Sequence, residues 1–278
     1  MSLLNKRDQK TLYWQKRQNK ISTNIGKWQG GIDVTIRGYS LFNDLFDQVS
    51  YFQVLVLNIT GRLISKDLST WLENNFIAMS YPDARIWCNQ IGALSGTLKV
   101  SPSSATAAGA LCADSRIYGG SQSTCATMHF IKTALSDFEN GQTVEEIIGN
   151  LPIKQGMPAV PGFVRPVASD DERITPHQKM AVRLGFSKGK HTILADEISC
   201  FMESKYTMGM NIDGLSAAFL LDQEFSPEEV YQINSLRVAS GVTACYGDNI
   251  NQPENSFLPL TCDDIEYTGK APRELPQR

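Results

Sequence analysis

The sequence has few of the residues from which common metal sites and hydrolytic triads are built. It contains three histidines, and its six cysteines are scattered without a C-x-x-C pair or a histidine at zinc-ligand spacing. A His-based metal site or a Ser-His-Asp triad therefore has little material to form from. We predict no bound metal, and we interpret the cysteines as the reduced thiols of a cytoplasmic protein.

Long apolar and long basic runs are missing too. No stretch approaches the roughly 20 apolar residues needed to cross a membrane, and the N-terminus lacks the apolar centre of a signal peptide. The formal net charge is -3, and the one local excess of basic residues lies in residues 1–22, which we interpret as a solvated tail. These features predict a protein that contacts neither a membrane nor nucleic acid.

The composition is that of a globular chain, with 42% hydrophobic and 20% charged residues. Residues 30–39 alternate β-branched and polar side chains between glycines, which predicts a short strand and turn. Elsewhere the apolar spacing is helical, so the predicted class is mainly α. Helices are predicted to begin near residues 41, 51 and 65, and to cover residues 84–98, 123–136, 143–148, 176–184, 192–205, 214–223 and 227–246.

Two segments stand out by composition. Residues 103–111 are almost all small, which suits close helix packing either in the interior or at a subunit interface. With a Pro-rich C-terminal segment that needs a surface to dock on, this predicts a homodimer. Residues 151–166 form a long loop rich in Pro and Gly, a type of loop that is often functional.

An acidic residue stands where an apolar helix begins. The sequence N-I-D-G at residues 211–214 is followed by a run of small and apolar residues, so the carboxylate of Asp213 is expected near helix-terminal N–H groups in a dry setting. Two roles follow from this position: a cap for the helix, or a poised general base.

Several short motifs occur in the order found in one superfamily. They are R-G-Y at residues 37–39, L-N-I-T-G-R-L at 57–63, Y-G-G at 118–120, G-F-V-R-P-V at 162–167, D-E-R at 171–173, N-I-D-G at 211–214, R-V-A-S-G at 237–241 and C-D-D-I-E-Y at 262–267. Together they resemble the citrate synthase superfamily over about residues 25–270. In length and C-terminal sequence the chain is most similar to citryl-CoA lyase and the lyase module of ATP-citrate lyase.

The resemblance implies a citrate synthase-like helical fold with a large domain, residues 23–118 and 209–278, and a small domain, residues 119–208. It implies a homodimer that makes or cleaves a carbon–carbon bond between an acyl-CoA and a 2-oxo acid. The coenzyme A thioester is then a substrate, and no metal takes part. Asp213 matches the carboxylate that removes the proton beside the thioester.

Both family histidines that complete this chemistry are replaced. Tyr118 stands where a histidine stabilises the enol, and Arg165 where a second histidine polarises the attacked carbonyl. A further histidine, which binds oxaloacetate, falls at Asn89 or Gln90. The replacements still donate hydrogen bonds, but an arginine does not shuttle a proton near neutral pH.

The remaining expected contacts bind the substrates. Arg173 and Arg237 match arginines that clamp the substrate carboxylates, with a plain surface position as the alternative. Gly162 and Phe163 match the segment that binds coenzyme A, and Arg116 faces either a phosphate of coenzyme A or solvent.

Two histidines are assigned roles outside the chemistry. We predict His129 in the core of a buried helix and His177 at a cap or on the surface.

These assignments lead to an enzyme as the first hypothesis. The competing hypothesis is a superfamily member that has lost catalysis and acts as a binding or regulatory subunit. A third is that the acyl carrier is not coenzyme A, because residues 151–166 depart from the family pattern.

Overall fold

The fold was determined as a computed structural model, which describes residues 10–115, 120–154, 156–165, 171–254, 256 and 260–276. The chain is mainly helical, so the predicted class is confirmed. The helices are α1 Tyr51–Thr60, α2 Lys66–Met79, α3 Trp87–Thr97, α4 Pro102–Ala113, α5 Ser121–Glu139, α6 Val144–Gly149, α7 Ile174–Arg183, α8 Lys190–Tyr206, α9 Ile212–Asp222, α10 Pro227–Ile233 and α11 Ala239–Asn249. Each helix in the described ranges is too short or too polar to span a bilayer.

The chain forms two compact units. Unit 1 comprises Met1–Phe76 and Thr124–Ile233, and unit 2 comprises Ile77–Ser123 and Asn234–Arg278. The division predicted from the sequence, with a small domain at residues 119–208, stays a prediction.

The predicted strand region forms a small antiparallel sheet in unit 1. Its strands are β1 Gly26–Trp28, β2 Val34–Ile36 and β3 Tyr39–Ser40, in the order β1-β2-β3. A short π-helix, Leu41–Leu45, follows where a helix was expected. A two-stranded hairpin, β4 Ile153–Lys154 and β5 Met157–Pro158, lies within the Pro- and Gly-rich loop.

Local sequence signals account for the ends of several helices. Ser50 and Gln53 form a capping box at the start of α1, and Gly61 ends the helix in the left-handed conformation at φ 80°. Thr143 and Glu146, three residues apart, form the capping box of α6.

Helix α9 lies at the centre of unit 1. Ten consecutive residues from Ile212 to Leu221 are buried, as expected for a helix that is apolar on every face. Phe219 stacks on Trp71 of α2 with ring centroids 4.1 Å apart. The buried hydroxyl of Ser216 accepts a hydrogen bond of 2.8 Å from Asn75 Nδ2, so this polar group also has a partner.

Unit 2 is built on close packing of α3, α4 and α11. A Cβ at Gly109 of α4 would lie 2.5 Å from Cγ1 of Val242 and 3.1 Å from the carbonyl oxygen of Cys88. Glycines on α3 face the backbone of α11 in the same way. The small-residue segment therefore packs inside a single chain, while Leu111 on the same helix stays exposed.

The single helix predicted over residues 227–246 is wrong. The chain instead forms α10, a 3-10 turn at Asn234–Leu236, and α11. The break coincides with the passage from unit 1 to unit 2. It brings Gly241 against the 80–81 turn, where its N–H donates to Ser80 Oγ at 2.9 Å and a Cβ would lie 2.9 Å from the carbonyl oxygen of Tyr81.

The packing in unit 2 predicts opposite effects for two glycine substitutions. In Gly92→Ala the new Cβ meets the carbonyl oxygen of Val242, so we expect a loss of about 1–3 kcal/mol of unfolding free energy from overpacking. In the matched control Gly247→Ala, no heavy atom of the described residues lies within 4 Å of the new Cβ apart from its chain neighbours and the backbone of its own helix. We therefore expect a gain of up to about 1 kcal/mol from helix propensity. Urea denaturation measures both, and equal stability of the two variants would contradict this packing.

Candidate active site

The helix cap at the start of α9 is Asn211, not Asp213. Asn211 has an extended backbone, and its Oδ1 accepts from the N–H groups of Asp213 at 2.9 Å and Gly214 at 3.1 Å. The alternative in which Asp213 caps the helix is therefore wrong. Asp213 lies inside the first turn, and its carboxylate does not supply the cap.

The carboxylate of Asp213 is buried and held by a hydroxyl group. Asp213 is only 7% exposed, and its Oδ1 accepts a hydrogen bond of 2.7 Å from Oγ1 of Thr124 on α5. The side chain is thus in the setting that a positioned general base requires.

The G-F-V-R segment lies directly against this helix start. Asn211 donates from its backbone N–H to the carbonyl oxygen of Gly162 at 2.9 Å, and from Nδ2 to that of Val164 at 2.8 Å. Gly162 has φ 82°, and a Cβ there would lie 2.8 Å from Cα of Gly214, so a larger residue does not fit. Two motifs about fifty residues apart in the sequence are therefore neighbours.

Gly162 and Phe163, which were expected to bind coenzyme A, are both buried. The ring of Phe163 is fully buried and packs edge-on against Phe130 at 6.3 Å between centroids. Only its backbone remains for the expected contact. Gly162 contributes its backbone alone in any case.

Arg165 lies beside the D-E-R motif. Its Nη1 and Nη2 donate to the carboxylate of Glu172, and Nη1 lies 3.9 Å from Oδ1 of Asp171. The guanidinium of Arg165 lowers the pKa of the Glu172 carboxyl below its ordinary value. The side chain of Arg165 is mostly buried, and that of its partner Glu172 is exposed. The positive charge of Arg165 is therefore paired with a carboxylate at the protein surface.

Asp171 ties Arg173 to the start of α9. Its carboxylate accepts from Nε and Nη2 of Arg173, both at 2.7 Å, and from the N–H of Ile212 at 2.9 Å. Burial alone raises the pKa of Asp171, but the hydrogen bonds and charge of Arg173 outweigh it, and the pKa is lowered overall. Arg173 is thereby fixed in orientation, as a carboxylate clamp needs to be.

In unit 2, Arg237 is buried rather than on the surface. It is 3% exposed, and Nη2 donates to the carbonyl oxygen of Gly120 at 3.0 Å. The arginine of the R-V-A-S-G motif thus contacts the last residue of the Y-G-G motif. Tyr118 and Arg116, the other residues expected here, lie outside the described residues.

The two candidates for an oxaloacetate contact differ in burial. Asn89 is buried, and its Nδ2 donates to the carbonyl oxygens of Tyr81 at 3.1 Å and Asp83 at 2.9 Å. Gln90 is exposed and donates to the carbonyl oxygen of Arg85 at 3.3 Å. In this structure both amide groups serve the fold of unit 2, and their role in substrate binding stays a prediction.

Two expectations for histidines are wrong. His129 is exposed and lies 3.5 Å from the carboxylate of Glu228, because it points outward from α5. His177 is buried in α7, with Nδ1 2.8 Å from the carbonyl oxygen of Arg173. The neighbouring Pro176 indicated a helix start correctly, but it gave no information on which face of the helix is buried.

No sequence signal pointed to Thr124. Its hydroxyl contacts a carboxylate 89 residues away, and nothing in the local sequence distinguishes it from other threonines on α5. Asn211 did carry a signal, since Asn is among the most favoured cap residues.

Within the described ranges, no cluster of three or more His, Cys, Asp or Glu side chains is arranged to hold a metal ion. All six cysteines are free thiols.

Solved structures share this fold. The citryl-CoA lyase of Hydrogenobacter thermophilus is 23% identical, with a TM-score of 0.74 over 92% of this chain and 97% of that one. The ATP citrate lyase of Methanothrix soehngenii, in complex with citrate and coenzyme A, is 16% identical with a TM-score of 0.75. The match covers 95% of this chain but only 46% of that enzyme.

A citrate synthase from Thermoplasma acidophilum is 17% identical, with a TM-score of 0.62 over 82% of this chain and 59% of that one. No family model matches the chain, and no curated protein is similar in sequence. The chain therefore has the citrate synthase-like helical fold that the motifs implied.

The Asp171 cluster predicts a pH-dependent contribution to stability. Asp171→Asn removes the charge that Arg173 pairs with, and we expect the free energy of unfolding to fall by about 2–3 kcal/mol at pH 7. Breaking a fully buried pair costs about 3–5 kcal/mol, and we expect less here because Arg173 is partly exposed. The pKa of Asp171 is lower in the folded protein than in the unfolded chain, where it is about 3.9. The stabilisation from this carboxylate is therefore complete above about pH 3.9 and is lost as the pH falls through the pKa of the folded state.

Urea denaturation from pH 3 to 7 measures the difference between parent and variant. Glu139→Gln is the control, because its partner Lys190 is exposed and such pairs contribute less than about 1 kcal/mol. If Asp171→Asn lost no more stability than Glu139→Gln, the stabilising role of Asp171 would be contradicted. The same holds if the difference between parent and Asp171→Asn were equal at pH 3 and pH 7.

Proposed function

We propose that the protein is a citrate synthase superfamily enzyme, close to citryl-CoA lyase, that makes or cleaves a carbon–carbon bond between an acyl-CoA and a 2-oxo acid. Asp213 is the general base. The observation that carries this proposal is a buried carboxylate that does not cap its own helix and that the hydroxyl of Thr124 holds in place.

Asn211 and Asp213, two residues apart at the start of α9, have different roles in this proposal. The first N–H groups of a helix need acceptors from outside it, and Asn211 supplies the cap by accepting from two of them. Because Asn211 is the cap, we assign the carboxylate of Asp213 to the proton at the carbon beside the thioester. In the cleavage direction the same group returns that proton to the carbon.

The charge that develops on oxygen during this step needs donors. We assign these donors to Arg165 and Tyr118. Arg165 is suited to stabilise the developing negative charge because its guanidinium carries a permanent positive charge and several N–H groups. Its present partner Glu172 is exposed, so a substrate oxyanion competes with a solvated carboxylate for the guanidinium. Because Arg165 keeps its proton, any proton delivered at this position comes from another group or from water.

The substrate carboxylates are assigned to two buried or partly buried arginines. Arg173 is held by Asp171, and Arg237 is held at Gly120. The contact with coenzyme A is assigned to the backbone of Gly162 and Phe163 and to Arg116. Asn89 or Gln90 contacts the 2-oxo acid.

One observation favours the competing function, a catalytically inactive subunit that binds coenzyme A or a carboxylate. The guanidinium groups of Arg165 and Arg173 already pair with carboxylates of the chain. Those pairs stabilise the fold whether or not the site performs chemistry.

We also propose that the protein acts as a cytoplasmic homodimer. The described C-terminal residues include exposed apolar side chains, among them Leu260, Ile265 and Tyr267, that a second copy would cover.

The proposal predicts the behaviour of Asp213→Asn in heavy water with acetyl-CoA, alone and with 2-oxo dicarboxylates. The parent is expected to exchange methyl protons for deuterium. In Asp213→Asn the rate of this exchange should be about 10²–10⁴-fold lower, which is the usual contribution of a general base, because an amide does not accept the proton. The thermal midpoint of this variant should stay close to that of the parent, since Asn211 still caps α9.

Asp222→Asn is the matched control at the other end of the same helix. The side chain of Asp222 is only 7% exposed, and it accepts from the N–H groups of Gly189, His191 and Thr192. We expect this variant to lose stability but to keep most of its exchange. Equal exchange in parent and Asp213→Asn would refute Asp213 as base, and no exchange in the parent under any condition would favour the binding subunit.

A further inference from the structure

Arg165 and Glu172 are both anchored at the start of α9, where Asp213 lies. The residue before Arg165 accepts through its carbonyl oxygen from Nδ2 of Asn211 at 2.8 Å. The residue before Glu172 accepts through its carboxylate from the N–H of Ile212 at 2.9 Å. Asn211 and Ile212 directly precede Asp213 in the sequence, so the Arg165–Glu172 pair is held at the same helix end as the proposed base.

The two side chains of this pair differ in what they do with a proton. The guanidinium of Arg165 donates from Nη1 to Oε2 of Glu172 and from Nη2 to Oε1, the latter at 3.2 Å. The hydrogen bond from Arg165 is the largest effect on the pKa of the Glu172 carboxyl and lowers it, so Glu172 is ionised near neutral pH. Arg165 therefore only donates, whereas Glu172 accepts a proton. The side chain of Glu172 is 68% exposed, so a bound substrate can reach it.

In the cleavage direction of the proposed reaction, a hydroxyl group becomes a carbonyl and has to lose its proton. The bond that breaks in a 3-hydroxyacyl-CoA joins the carbon beside the thioester to the carbon that carries this hydroxyl group. Asp213 does not take the proton, because it delivers a proton to the other carbon. Arg165 does not take it either, since an arginine side chain stays protonated. Cleavage therefore needs a second base.

We infer that Glu172 is the second acid–base residue of this site and takes the hydroxyl proton of a 3-hydroxyacyl-CoA in the cleavage direction. This inference rests on the proposed function. The hydroxyl oxygen of the substrate replaces Oε2 of Glu172 at Nη1 of Arg165, while Oε1 stays on Nη2. Oε2 then accepts the hydroxyl proton. Because the carboxylate has lost one of its two hydrogen bonds from Arg165, it is a stronger base than in the substrate-free protein.

Protons and electrons balance in this step. The O–H bond breaks, its proton goes to Glu172, and its electron pair forms the new carbonyl bond. The electron pair of the broken carbon–carbon bond stays with the carbon beside the thioester, which takes a proton from Asp213. Glu172 thus binds one proton and Asp213 releases one, and exchange with water restores both groups. In the direction of bond formation, Glu172 returns the proton to the alkoxide.

Glu172→Gln separates the role of Glu172 from that of Asp213. The probe is citryl-CoA, a 3-hydroxyacyl-CoA, and release of acetyl-CoA measures its cleavage. We expect cleavage to be about 10²–10⁴-fold slower in the variant, the usual contribution of a general base. Exchange of the methyl protons of acetyl-CoA in heavy water should stay close to the parent rate, because it involves no hydroxyl group. Glu145→Gln is the matched control and should cleave like the parent, since Glu145 pairs with Lys205 and its side chain is also 68% exposed.

Glu172→Ala adds a readout that a merely structural role would not change. The shorter side chain leaves space for formate beside Arg165, and formate supplies the missing carboxylate. We expect added formate to restore part of the cleavage rate in Glu172→Ala, whereas chloride at the same ionic strength should not. Failure of formate to accelerate cleavage in this variant would overturn the inference.

The two reactions together distinguish failure of this inference from failure of the proposed function. Cleavage at the parent rate in Glu172→Gln would overturn the role of Glu172 and leave that of Asp213 unchanged. An equal loss of cleavage and of methyl exchange would show that Glu172 acts through the structure, which also overturns the inference. A parent that exchanges methyl protons but does not cleave citryl-CoA would overturn it as well. A parent that does neither would refute the proposed function together with it.

Discussion

The side chain of Asn211 is the contact on which the rest of the candidate site depends. Its Oδ1 satisfies two N–H groups at the start of α9, and its Nδ2 binds the carbonyl oxygen of Val164. One amide therefore caps the central helix and holds the segment that carries Arg165. A carboxylate at residue 211 could make the first contact but not the second, because it has no N–H to donate.

A chain of polar contacts extends from the same helix start. Ile212 donates to Asp171, Asp171 pairs with Arg173, and the carbonyl oxygen of Arg173 accepts from His177. The ring of His177 lies against Trp71, which stacks on the far half of α9. Each hydrogen bond to a charged group contributes about 1.5–3 kcal/mol, enough for the network to fix the orientation of the helix that carries the proposed base.

Local features of the fold could be predicted because their causes are local. The capping boxes at Ser50 and Thr143 and the left-handed Gly61 each depend on residues within one helical turn. The motif order also predicted the fold, which the solved structures share. The break after α10 and the burial of His177 could not be predicted, because both depend on packing between segments far apart in the sequence.

Within the site, the sequence located Asp213 but left its role open between cap and base. The cap is Asn211, two residues earlier, and its extended backbone and the two hydrogen bonds of its side chain are visible only in the structure. Thr124 could not be found from the sequence, since its contact with Asp213 is made in space.

In the function proposed above, Asn211 supplies the cap and the carboxylate of Asp213 accepts a proton from the substrate. A crystal structure with bound acetyl-CoA tests this most directly. We predict the methyl carbon at about 3–3.5 Å from a carboxylate oxygen of Asp213, with Asn211 still accepting from the N–H of Asp213. A thioester bound away from Asp213, or an Asp213 carboxylate turned onto the helix N–H groups in place of Asn211, would contradict it.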